Sequence, residues 1–193
     1  MDTTHEQSVT EQELLASVSS GNMAAFEELY RLYEKRVFQY ICTFLRDRAV
    51  AEEVLSDTML AVWQGAKNFS HTSRISTWIF GIARHKALDA VRRNVRRRQD
   101  VELDHAADLG QPGTDPIDHI HQDQVAGLTQ QGMNRLSPDH REILRLVFYE
   151  ELPYEDIALL LSIPVNTVKT RVFYAKQQLK QQLAGHHSRE SVL

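Results

Sequence analysis

A single cysteine, Cys42, stands in a chain of 193 residues, which excludes an internal disulfide and any multi-cysteine zinc site. Lying between Ile41 and Phe44, its thiol reads as a small buried apolar side chain. No apolar run approaches the roughly 18 residues that a membrane span requires, so no membrane insertion is expected. Lysine and arginine are missing from Met1 to Ser20, so the N-terminus lacks the basic opening of a secretory signal. These absences together point to the cytoplasm. No stretch alternates apolar and polar residues long enough to suggest a sheet. Neither a glycine-rich phosphate loop nor a nucleophile–base constellation is present, so the expectation is a non-enzymatic chain with no cofactor.

What is present is charge in blocks. The formal net charge of −4 disguises them. Residues 1–30 hold Asp2, Glu6, Glu11, Glu13, Glu27 and Glu28 and no lysine or arginine. From Arg84 to Arg98 run Arg84, Lys86, Arg92, Arg93, Arg96, Arg97 and Arg98 against Asp89 alone. The sign then reverses: Asp100, Glu102, Asp104, Asp108, Asp115, Asp118 and Asp123 meet no base before Arg135. From Ser162 to Arg189 there are bases and no acid. Phosphate attraction is local, being screened within about 10 Å at moderate salt, so the blocks decide binding and the sum does not. Two basic patches flank an acidic strip.

Helical periodicity covers nearly the whole chain. From Met23 to Leu45, Phe26, Leu29, Tyr33, Val37, Tyr40, Ile41 and Phe44 repeat at three and four, with Asn22 placed as N-cap. A second helix is expected from about Ala49 to Ala66, with Ala51, Leu55, Met59, Val62 and Ala66 inward. A third is expected from about Ser76 to Arg97. On its wheel Leu88, Val91 and Val95 form a core stripe, opposite a track of His85, Asp89, Arg92, Arg93 and Arg96. Gln99 to Asp118 reads as a linker, with Gly110, Pro112, Gly113 and Pro116 and few large apolar residues. Ile120 to Met133 reads as a lead-in helix. Ser137-Pro138 begins another, with Ile143, Leu144, Val147 and Phe148 as its apolar face. The expected fold class is all-α: a tail over 1–19, a helical domain over 20–99, a linker over 100–127, a second helical domain over 128–184 and a tail over 185–193.

Residues 152–172 carry a helix-turn-helix pattern. Pro153 suits a helix start, and Ile157, Ala158 and Leu161 supply a buried face. Ala158 has the small side chain that a close helix crossing needs. Ser162-Ile163-Pro164 makes a short turn, because Pro164 disfavours helical geometry at Ile163. A second helix then buries Val168 and Val172 and leaves Asn166, Thr167, Lys169, Thr170, Arg171, Tyr174 and Lys176 outward. Bases, amides and hydroxyls without a carboxylate suit the major groove, where Arg and Lys pair with guanine and Asn with adenine. A plain helical hairpin with a solvated face is the competing reading.

The segment Asn68 to Arg93 resembles the promoter-melting region of extracytoplasmic-function sigma factors of bacterial RNA polymerase. Ala51 to Trp63 resembles that family's polymerase-binding helix, and the helix-turn-helix resembles its region four. The likeness spans residues 22–98 and 133–183. It implies that the polar loop Ser70, His71, Thr72, Ser73 and Arg74 captures a base flipped from the downstream promoter element. Flipping costs a few kcal/mol, offset by a pocket that bonds and stacks the base. Phe69 and Trp78 flank that loop; Arg84, His85, Asp89, Arg92, Arg93 and Arg96 line the helix behind it. Glu53, Ser56, Asp57, Leu60 and Gln64 share the face implied to dock on the clamp helices of the polymerase large subunit, with the flap as a further contact. An anti-sigma partner and a stress or envelope response are implied as well. The chain departs from the family at His85, where Asn is common, and at Ser56, where Gln is usual.

Two rival readings stand beside this one. A stand-alone regulator would bind duplex DNA as a dimer without polymerase. An enzyme or metal sensor built on the nine histidines would use His119 and His121, or His186 and His187, but these lack the carboxylate–histidine spacing of a hydrolytic site. The acidic linker is further expected to mask the basic patches through Asp100, Asp104 and Asp108.

Overall fold

The computed structural model describes the backbone of residues 3–104, 132–133 and 135–190, and the surroundings of side chains over 11–97, 132–133 and 135–183. Helices α1 (Thr3–Ser19), α2 (Met23–Ile41), α3 (Arg48–Gly65) and α4 (Ile75–Asp104) build a first bundle. Helices α5 (Pro138–Phe148), α6 (Tyr154–Leu161) and α7 (Val165–Glu190) build a second. Among the described residues there is no strand, and no helix is long and apolar enough to cross a membrane.

Helix starts follow the side chains that precede them. Asn22 Oδ1 accepts from Ala25 N at 3.2 Å, Asp47 Oδ1 from Ala49 N at 2.9 Å, and Ser137 Oγ from His140 N at 3.3 Å. Each satisfies a backbone donor that the first turn leaves unpaired. Pro138 follows its cap, where the missing N–H costs nothing. Residues 1–19, expected as a tail, instead include α1, whose Leu15 and Val18 are buried against the first bundle. Gly21, at φ 88°, turns the chain from α1 into α2.

The core of the first bundle comes from Leu29, Tyr33, Val37, Tyr40 and Ile41 of α2 and from Ala51, Val54, Met59 and Val62 of α3. On α4 the expected stripe is wrong. Ile79, Phe80, Ala83, Ala87 and Ala90 are buried, whereas Leu88 and Val91 are only partly covered and Val95 is 50% exposed. Alanines let α4 approach α3 closely, so the larger aliphatics one position along are left at the rim. The helix also runs on to Asp104, into the segment expected as linker. Most of the 100–127 segment and the lead-in helix at 120–133 lie outside the described residues; Gly132 and Met133 are helical and buried.

In the second bundle α6 buries Ile157, Ala158 and Leu161, and α7 buries Val168, Val172 and Ala175, as the sequence pattern requires. On α5, Ile143 and Leu144 are buried, but Phe148 is 51% exposed and Leu146 is fully buried. Lys176 Nζ covers the Phe148 ring at 4.7 Å. The helical backbone of α7 continues to Glu190, beyond the expected end at 184.

Candidate nucleic-acid interface

Helix α6 ends at Ser162, which takes left-handed geometry (φ 55°, ψ 44°). Ile163 N then donates to Ala158 O at 3.0 Å, closing the turn before Pro164. This turn presents the start of α7. Val168 and Val172 point into the bundle, so Asn166, Lys169, Thr170, Tyr174 and Lys176 project to solvent, with Thr167 and Arg171 half-covered. Thr170 Oγ1 donates to Asn166 O at 2.9 Å, which ties that hydroxyl to its own helix. Arg171 Nη1 lies 3.3 Å from Asp139 Oδ2 of α5. The face carries no carboxylate of its own, and Tyr174 stacks edge-on with exposed Phe173 at 5.5 Å.

In the first bundle a short 3-10 turn, Ala66–Asn68, leads into the loop ahead of α4. Ser70, His71, Thr72 and Arg74 are exposed, and Ser73 is half-covered. Ser70 Oγ and Thr72 Oγ1 pair at 3.0 Å, and His71 takes φ 56°. Phe69 is buried beneath the loop, with its ring centroid 4.8 Å from His71 and 4.9 Å from Trp78. Trp78 is half-buried because it lies over Gly65, where an added Cβ would meet its ring at 3.0 Å. An aromatic step of Trp78, Phe69 and His71 thus rises from the core to the loop.

Along α4, His85, Arg92, Arg93 and Arg96 are exposed, while Arg84 is half-covered. Asp89 accepts from Arg92 and lies 3.2 Å from His85 Nε2. The Arg92 hydrogen bond holds the Asp89 carboxyl below its ordinary range. This acid therefore arranges His85 and Arg92 on either side of it.

On α3, Glu53, Ser56, Leu60 and Gln64 are exposed and Asp57 is half-covered, all opposite the buried Ala51, Leu55 and Met59. Leu60 is 53% exposed among these polar side chains. Cys42 is partly covered, and burial pushes its thiol up.

The two bundles meet through side chains that sequence reading did not bring together. Glu142 of α5 is buried and accepts from Tyr40 Oη at 2.7 Å and Arg84 Nε at 2.9 Å. Burial, before the neighbouring Glu142, drives the Tyr40 hydroxyl well above its ordinary range. Arg36 Nε donates to Glu150 at 3.0 Å while stacking 5.0 Å from the Tyr33 ring. Arg145 bridges Glu150 and Gln39 at 3.2 and 2.8 Å. Thr77 Oγ1 donates to Asp156 at 2.8 Å, and Arg74 lies 3.5 Å from the same carboxylate. One available signal is that Glu142 precedes the buried Leu146 by a single helical turn, an acid on an inward line.

Among the described residues no group of three or more His, Cys, Asp or Glu is placed to hold a metal. His119 and His121 lie outside the described residues, as do the side chains of His186 and His187.

Residues 29–97 match the family Sigma-70 region 2, and residues 127–179 match Sigma-70, region 4. RNA polymerase sigma-H factor of Pseudomonas aeruginosa is 28% identical over 184 residues, covering 90% of this chain and 93% of the relative. ECF RNA polymerase sigma factor SigK of Mycobacterium sp. (strain KMS) is 30% identical over 165 residues, covering 82% and 83%. The fold is similar to that of the sigma factor RpoE crystallised with the anti-sigma factor NepR from Bartonella quintana. That match has a TM-score of 0.65 at 23% identity and covers 82% of this chain and 96% of that one. CnrH in complex with the cytosolic domain of CnrY gives a TM-score of 0.64 at 23% identity, covering 91% and 98%. With both family regions matched in order, on two helical bundles that end in a helix-turn-helix, the chain belongs to the extracytoplasmic-function sigma factors, specificity factors of transcription initiation.

Proposed function

We propose that this chain directs bacterial core RNA polymerase, in the cytoplasm, to promoters that it grips at two places. Residues 128–184 read the upstream (minus-thirty-five) element as duplex, through Asn166, Thr167, Lys169, Thr170, Arg171, Tyr174 and Lys176. Residues 20–99 hold the melted downstream (minus-ten) element through the loop 70–74 and the cations of α4. The observation that carries the reading is the acid-free exposed face of α7, seated by Val168 and Val172 behind a tight turn. Base-edge contacts there supply roughly 1–3 kcal/mol each, and the surrounding cations add a salt-dependent share.

The first bundle adds what duplex binding alone does not use. Its aromatic step of Trp78, Phe69 and His71 ends at exposed loop hydroxyls, which suits an unstacked base. His85 and Arg92, tied by Asp89, then lie along the strand's phosphates. The face of Glu53, Ser56, Asp57, Leu60 and Gln64 docks on the polymerase clamp helices, and the second bundle meets the flap. The chemistry of transcription stays with the polymerase; this subunit is non-catalytic. The similar RpoE structure contains the anti-sigma factor NepR, and a partner of that kind, tied to a stress or envelope signal, controls this chain too.

Run-off transcription with purified core enzyme tests the reading. Selective initiation is expected only when this chain is added; no selective start with folded protein overturns it. Asp57→Arg with Leu60→Ala should weaken core affinity at least tenfold, and unchanged affinity would move the docking face elsewhere. A stand-alone dimeric regulator differs in one measurement, since it would shift duplex promoter DNA without polymerase.

A further inference from the structure

Three arginines of the first bundle, from α2, the loop and α4, each end on a carboxylate of the second. Arg36 meets Glu150 at 3.0 Å, Arg74 meets Asp156 at 3.5 Å and Arg84 meets Glu142 at 2.9 Å. We propose that Glu142, Glu150 and Asp156 form a binding surface for the first bundle, in which carboxylates stand in for promoter phosphates. The proposal rests on the reading above that the loop and α4 hold the melted strand.

The chemistry of the contact supports a competitor of nucleic acid over a fixed domain fusion. Side chains of Glu142 and Glu150 are 7% and 1% exposed, so each carboxylate has given up water for arginine, tyrosine or glutamine-bridged partners. The desolvation lost on closing offsets much of the attraction gained, which leaves a contact that a phosphate chain can displace. Carboxylate and phosphate oxygens make the same charge-assisted bonds with guanidinium groups, so one replaces the other without rebuilding the arginines.

The position of the contact adds a second reason. A cavity of about 410 Å³ opens beside the loop, lined on one side by Phe69, His71 and Thr72 and on the other by Glu150, Glu151 and Asp156. A flipped base entering there would bring its phosphate against three acids. Closed, the chain repels the strand that the open chain binds. The linker residues Asp100, Asp104 and Asp108, expected from the sequence to do the masking, lie outside the described side chains.

A disulfide gate tests this. Thr77 and Asp156 touch side chain to side chain, at 2.8 Å, across the contact. Thr77→Cys with Asp156→Cys, in a Cys42→Ser background, should bind a fluorescent single-stranded 30-mer of mixed sequence at least tenfold more weakly when oxidised than when reduced. Equal binding by the two forms, with the cross-link verified by mass, overturns the proposal. Independently, Glu142→Gln with Asp156→Asn should enlarge the radius of gyration of the full chain by X-ray scattering at low salt. An unchanged radius overturns the proposal even where the cross-link does not form. Run-off transcription by the reduced chain with core enzyme separates the two ideas. Failure there counts against the functional reading, while scattering still judges the contact.

Discussion

The two helices proposed to grip DNA, α4 and α7, differ in how they are seated. Helix α7 is held by Val168, Val172 and Ala175 at helical spacing, and its outward residues meet α5 only at the rim, where Arg171 pairs with Asp139 and Lys176 covers the Phe148 ring. Helix α4 is held by Ile79 and Phe80 in its first turns and by Ala83, Ala87 and Ala90 along its cationic stretch, and the second bundle's Glu142 covers part of its cationic side at Arg84. A branched seat fixes a helix by filling volume, whereas an alanine seat fixes it by close approach. The first tolerates trimming better than charge; the second tolerates trimming and rejects bulk.

The largest effect should come from putting charge into the branched seat. Val168→Asp buries a carboxylate with no cation on the same inward face, at a cost on the order of 4 kcal/mol. A bundle this small has only marginal stability, so α5 to α7 should unfold while α2 to α4 persist. Hydrogen exchange resolved by segment checks this: full exchange over 137–183 with retained protection over 23–62 is expected. Protection surviving throughout 137–183 would show that Val168 does not seat the helix.

The alanine seat gives the next effect, opposite in kind. Ala87→Leu forces a branched side chain into the α3–α4 crossing and should cost about 1–3 kcal/mol. Val95→Ala removes a half-exposed side chain and should stay within about 0.5 kcal/mol. Urea unfolding of the two variants decides between the stripes: a larger loss at Val95 would restore the one read from the sequence.

That contrast also marks what the sequence made legible. Around α7, branched residues at three and four face acid-free polar residues, so the helix-turn-helix, its inward valines and its outward cations were all readable. Around α4 the two candidate stripes lie one position apart, and the pattern of larger aliphatics at Leu88, Val91 and Val95 outweighed the alanines. Periodicity weighs apolar size, but a close crossing selects for its absence. The buried carboxylates Glu142 and Glu150 were missed because their partners Arg84 and Arg36 are remote in sequence, and only folding brings them together. The helix over Thr3–Ser19 escaped notice for a simpler reason: Leu15 and Val18 are few, and the residues around them are mostly small or polar.

The smallest effect compares the entrances to the two helices. Each is preceded by a non-glycine residue of positive φ: His71 at 56° before α4 and Ser162 at 55° before α7. An L-residue there carries a steric cost of about 1 kcal/mol that glycine avoids, partly offset by glycine's greater freedom when unfolded. Ser162 is exposed, and its side chain is not needed to close the turn, which is made by backbone bonds from Ile163 and Ser162. Ser162→Gly should therefore stabilise the second bundle by about 0.5 kcal/mol. His71→Gly releases the same strain but removes the ring that lies 4.8 Å from Phe69, so its net gain should be smaller. Paired urea titrations read the difference directly. If His71→Gly stabilises more than Ser162→Gly, the imidazole contributes nothing to the aromatic step, and the loop's stacking role loses its structural basis.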